Sequence, residues 1–124
     1  DPGERNRFYN LLSEIGENKI VILSTHIVQD VEQLCSQMAI INNGRLLFDG
    51  KPSDAKQTIE GMIYEKAIAK ADAAKYNEDY KVVSSRLVGG QPIIHVYSDE
   101  DPGNDFRRVP ADLEDVFFTK IFGF

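Results

Sequence analysis

The sequence has no tryptophan, one cysteine, two methionines and two histidines in 124 residues. Each scarcity removes a class of function. Cys35 has no partner for an internal disulfide, and a chain without a disulfide framework suits a reducing compartment. His95 has no cysteine or acidic residue at ligand spacing along the chain, so no zinc motif is expected around it. Cationic residues are also short: 14 Lys and Arg stand against 20 Asp and Glu, for a net charge of −6. A nucleic-acid partner is thereby disfavoured. No apolar run approaches the ~18 residues that a membrane span needs, and no signal peptide opens the chain. The chain begins Asp1-Pro2-Gly3-Glu4, without methionine, and an excised piece is the expectation.

What is present reads as a small α/β chain of ordinary soluble composition, one domain or one small domain with a piece of another. Asp1 as N-cap, Pro2 in the first turn and Glu4 closing a capping box predict a helix start. Phe8, Leu11, Leu12 and Ile15 then form one apolar stripe, and Gly16 is a stop. Residues 19–23, KIVIL, are continuous and β-branched, which predicts a strand buried on both faces of a parallel sheet. Ser24-Thr25-His26 follows, and Ile27, Val31, Leu34 and Cys35 return to helical spacing. Residues 38–42 predict a further buried strand, Asn43-Gly44 a hairpin turn and residues 45–49 the returning strand.

After Gly50-Lys51-Pro52 the character changes, and a boundary falls near residues 50–53. A short helix over 53–60, opened by a capping Ser or Asp, precedes a strand over 62–69 and a short helix over 70–76. Residues 81–88 and 92–98 predict a hairpin across Gly89-Gly90. Residues 98–104 are a loop, and residues 111–122 form a final helix.

The turn at His26 is the most informative site. In open α/β sheets ligands sit beyond the carboxyl ends of parallel strands, where the next helix offers free N–H groups to an anion. A histidine there can donate a hydrogen bond to that anion or hold a water; alternatively, Ser24, Thr25 and His26 only cap the helix. The chain carries no phosphate loop of its own. The nearest match, Gly44 to Pro52, has five residues rather than four between its glycines, ends in proline and spans a strand. Asp99, Asp101 and Asp105 suggest a carboxylate cluster, but Pro102 and Pro110 break the calcium-loop pattern, so a solvated loop is expected. Cys35 reads as a small buried hydrophobe, and Cys–His or Ser–His–Asp catalysis has no support beyond chance. Phe117, Phe118, Ile121 and Phe122 read chiefly as core packing, with Phe118 and Phe122 offset toward a contact surface.

Taken together, Asp1-Pro2, the helix RNRFYNLLSEI, the strand KIVILSTH, the helix IVQDVEQLC and the segment AIINNGRLLFDGKP resemble the last third of an ABC-transporter ATP-binding subunit. The resemblance runs over about fifty residues. The remainder, ending ADLEDVFF, is more loosely similar to the C-terminal extension of subunits that serve export-type transporters. The resemblance implies a fold: part of a P-loop ATPase core over 1–51, with helix, buried parallel strands and hairpin, and a small α/β accessory domain over 52–124. It implies that His26 is the switch histidine, contacting the γ-phosphate and helping to place the attacking water. It further implies that Asp1 is the D-loop aspartate that communicates between two ATP sites. ATP and Mg²⁺ would be cofactors of the intact parent, and none is expected for a fragment whose phosphate loop, glutamine loop, signature sequence and Walker B strand are absent. The implied partners are a transmembrane transporter subunit and a second copy of the ATP-binding subunit, and the implied location is the cytoplasm, at the inner face of the cell membrane. A rival from another class is a non-enzymatic regulatory, dimerisation or docking module. A small hydrolase using His26 or His95 lacks a nucleophile pair.

Overall fold

The computed structural model describes residues 2–124; Asp1, with its expected capping and D-loop roles, lies outside the described residues. Five α-helices and six strands follow one another along that stretch. Helix α1 (Pro2–Gly16) is followed by α2 (Val28–Leu34), the hairpin β1 (Met38–Asn42) and β2 (Arg45–Gly50), and α3 (Pro52–Gln57). Then come β3 (Ile63–Ala67), a single 3₁₀ turn, α4 (Ala73–Asp79), β4 (Lys81–Val88), β5 (Gln91–Tyr97), the two-residue β6 (Arg107–Arg108) and α5 (Leu113–Phe122).

The molecule is α/β, but every strand pair described is antiparallel. The strands β1 and β2 form a sheet of two, and the second sheet has the order β4-β5-β3-β6. Both hairpins turn through paired positive φ angles, Asn43 at 51° with Gly44 at 74°, and Gly89 at 59° with Gly90 at 82°. Those angles match the right-handed twist of the strands they join, which is why Asn-Gly and Gly-Gly serve there.

The parallel strand expected over residues 19–23 does not form: residues 20–25 carry no regular secondary structure. Ile20 and Ile22 are 94% and 91% exposed, whereas Val21 and Leu23 line a groove with Leu12, Leu34 and Cys35. Even on the groove side cover is partial: Val21 is 43% exposed, and only Leu23 is half-buried. A run that apolar forms a strand only when neighbours satisfy its backbone groups, and no described strand pairs with it. The same correction applies to α1. Its stripe is turned outward, with Phe8, Leu11 and Ile15 each at least 40% exposed, and Tyr9 is its buried residue. Strand β1, expected to be buried, seats only Ile40 fully. Helix α3 starts at Pro52 on an extended Lys51, with no side-chain cap, rather than on Ser53 or Asp54; proline at the first helical position needs no partner for a missing N–H.

The larger core lies on one face of the four-stranded sheet. Ile63, Val83, Leu113 and Val116 meet Ala55 and Ile59 there, and Ile40 joins them, with Val28, Val31, Met38 and Phe48 packed at the margin. Tyr64, Ile68, Ile94, Val96 and Phe106 fill the opposite face beneath Tyr76 and Tyr80. The sheet is thus sandwiched, and the period-two alternation along β5, with Ile94 and Val96 on one side and His95 and Tyr97 on the other, decides which residues meet α5.

Candidate functional site

His26 stands in the bend between the irregular segment 20–25 and α2, with its side chain exposed. The turn is held from within. Thr25 Oγ1 accepts a hydrogen bond from the Ile27 N–H at 2.9 Å. Asp30, in the first turn of α2 and 8% exposed, accepts from Tyr9 Oη at 2.8 Å and pairs with the Arg5 guanidinium. Thr25 Oγ1 also reaches Asp30, at 3.5 Å. A buried carboxylate is tolerated because two donors from α1 satisfy it. The polar pair Arg5–Tyr9 therefore docks α1, with Leu12 the half-buried member of the apolar stripe.

Beside His26 an apolar pocket is lined by Val28 and Val31 of α2, by residues 38–41 of β1, and by Leu113 and Phe117 of α5. The described residues offer no phosphate cradle around His26. Helix α2 is seven residues long, and its N-cap, Ile27, supplies no side-chain cap. Taken alone, these residues do not make a nucleotide site; they present one exposed imidazole at the edge of an apolar pocket.

The other histidine is where sequence reading failed. His95 is directly opposite Glu65 of β3 and Ser84 of β4, and Glu65 is opposite Arg107 of β6. One row across four strands therefore reads Ser84, His95, Glu65, Arg107, all on the face that receives α5. His95 Nδ1 lies 2.8 Å from Asp115 Oδ1 and Nε2 lies 2.9 Å from Glu65 Oε2. A neutral imidazole has a single N–H and would set a lone pair against one of those carboxylates. The ring is therefore an imidazolium donating to both. Its pKa is raised to about 9, chiefly by the Asp115 hydrogen bond and then by Glu65, against the opposing effect of burial. Glu65 is held below the usual carboxylate range by the His95 hydrogen bond and then by Arg107, which donates to it at 3.1 Å.

Asp115 is fully buried and spends both oxygens. Oδ1 takes the His95 proton and Oδ2 accepts from the Asp112 N–H at 3.1 Å, while Asp112 Oδ1 accepts from the Asp115 N–H at 2.7 Å. That reciprocal pair is a capping box at the start of α5. Burial pushes the Asp112 carboxyl upward. His95, Asp112 and Asp115 do bring potential metal-ligand atoms within 4.8 Å of one another. A cation there would have to displace the imidazolium proton and the capping bonds, so the arrangement is a closed ion-pair network. The partners of His95 come from 30 residues upstream and 20 residues downstream, which no local spacing rule could find.

Cys35 is the C-cap residue of α2, partly buried, and burial raises its thiol pKa. Asp99 and Asp101 lie in the exposed loop, where Asp101 accepts from the Gly103 N–H. Phe117 and Phe118 pack against the larger core, whereas Phe122 is 50% exposed.

The chain matches no family profile and no solved structure. Among curated proteins it is similar to the Nod factor export ATP-binding protein I of Ralstonia nicotianae, 34% identical over 138 residues that take in 94% of this chain and 41% of that protein. An uncharacterised ABC transporter ATP-binding protein of Bacillus subtilis is 30% identical over 64 residues, 52% of this chain and 22% of its own length. ABC transporter A family member 11 of Dictyostelium discoideum is 34% identical over 56 residues, 45% of this chain and 7% of its own length. The chain spans less than half the length of each of these relatives. Over 94% of its own length, it is a homologue of ABC-transporter ATP-binding proteins.

Proposed function

We propose that the chain is the C-terminal portion of the ATP-hydrolysing subunit that powers an ABC membrane transporter, with residues 1–51 completing a P-loop ATPase core and residues 52–124 forming an accessory domain. The observation that carries this reading is similarity to ABC-transporter ATP-binding proteins along nearly the entire chain. In the intact subunit His26 is the switch histidine, acting on the γ-phosphate and the attacking water, and Asp1 is the D-loop aspartate. Phosphoryl transfer needs a phosphate cradle, Mg²⁺ and an oriented nucleophile. This chain contributes an imidazole to that set, and ATP with Mg²⁺ belongs to the site of the intact protein. The outward stripe of α1 and the bare Ile20 and Ile22 fit the reading, because sheet and helix neighbours of a larger core would cover them. The partners are then a transmembrane subunit and a second ATP-binding subunit, at the inner face of the membrane. No described helix is long and apolar enough to cross a membrane itself.

The test has two arms. Mg-ATP titrated into the 124-residue chain should leave the amide shifts of Ser24 to Val28 unmoved up to millimolar nucleotide; saturable micromolar binding would overturn the reading. In the intact subunit, His26→Ala should remove most hydrolysis while sparing nucleotide binding, and wild-type turnover would sink the assignment of His26.

A docking role is favoured by one observation, the exposed aromatic end of α5. Phe122 stacks on Phe118 and contacts Phe124, and Phe122 and Phe124 are 50% and 39% exposed. Phe118 packs on the core, so Phe122→Asp and Phe124→Asp are the informative changes. Self-association that vanishes in both while the fold persists would favour this reading.

A further inference from the structure

We infer that α5 positions the His26 turn, with Phe117 and Leu113 as positioning residues and the His95–Asp115 pair as the anchor that fixes the helix. The inference rests on the role proposed for His26. The turn is bound on one side by polar contacts, through Thr25, Asp30 and the Tyr9 hydroxyl. On its other side it borders the apolar pocket that Leu113 and Phe117 help to line. Those two residues lie four positions apart, on one face of a helix. That face continues the larger core, in which Leu113 and Val116 are 2% and 0% exposed. The helix has little freedom to slide, because its first turn is closed by the capping box and charge-paired to the sheet through His95. Phe117 forms part of the pocket wall together with Thr25 and His26, so a change in its size alters the space that the turn borders. The residue that would act on phosphate and the helix at the far end of the chain in this way share the wall of one pocket.

Phe117→Ala in the 124-residue chain should move the amide and ring resonances of Thr25, His26 and Ile27 and raise their fast backbone motion, with the β3–β5 amides unchanged. Glu114→Ala, at an exposed position on the same helix, should leave them alone. In the intact subunit Phe117→Ala should lower kcat roughly tenfold or more, the scale on which small misplacements of a reacting group act, with KM for ATP held within about twofold. If Phe117→Ala unfolds the chain, Phe117→Leu keeps an apolar side chain in the pocket and should give the same signature in weaker form. Unmoved Thr25–Ile27 resonances in a folded Phe117 variant overturn the inference. The resonance experiment needs no turnover, so it stands apart from the fate of His26 itself: wild-type turnover in His26→Ala removes the proposed function while the resonances still report whether α5 holds the turn.

Discussion

His95 is a cation by geometry, and its proton is a contribution to stability. The folded chain binds that proton up to about pH 9, while a free imidazole loses it near 6.5. A group whose folded value is raised stabilises fully below the unfolded value, and the gain disappears as pH climbs through the folded one. Urea midpoints should therefore hold level from above the range in which carboxylates titrate up to about pH 6.5, and fall between there and pH 9. His95→Gln should be less stable at pH 6 and nearly flat across that window; a wild-type profile that is also flat would contradict the imidazolium. Thr119 makes the opposite case. It is 1% exposed, and its Oγ1 finds no partner among the described residues. An unsatisfied buried hydroxyl costs on the order of 1 kcal/mol or more, so Thr119→Val, which keeps the shape, should raise the melting temperature rather than lower it.

At the scale of elements, local signals worked where an element closes on itself. The Asn43-Gly44 hairpin, the Gly89-Gly90 hairpin and the last helix stand where turn chemistry and spacing put them, because a turn needing positive φ is written in two residues. Residues 19–23 show the limit of composition. A β-branched apolar run states a preference for a strand, but a strand exists only with a partner ladder. Left half-covered, the segment should tolerate charge on its outer side: Ile20→Lys with Ile22→Lys should change stability by no more than about 0.5 kcal/mol, while solubility rises. A loss of several kcal/mol would mean that the outer side is packed in this chain after all.

Across the whole molecule, packing ignores the change of character near residue 51. Ile40 of β1 is 7% exposed and belongs to the same core as Ala55, Ile63 and Val116. Ile40→Ala should therefore destabilise the C-terminal sheet, not only its own hairpin, by about 3 kcal/mol. Hydrogen exchange at β5 would show it, as a uniform loss of protection. Protection lost only in β1 and β2 would instead mean that the hairpin unfolds on its own.

The sequence by itself determined the α/β character, the hairpins, the helical segments, the resemblance to ABC-transporter ATP-binding proteins and the place of His26 in a turn before α2. These follow from residues within a few positions of each other, where spacing and backbone preference act directly. Only the tertiary structure decided that α1 turns its apolar stripe outward and docks through Arg5 and Tyr9, that residues 20–25 stay unpaired, and that Ser84, His95, Glu65 and Arg107 form one row beneath Asp115. Strand register and helix docking bring together groups tens of residues apart, and they are set by which surfaces find cover, a property of the folded chain as a whole.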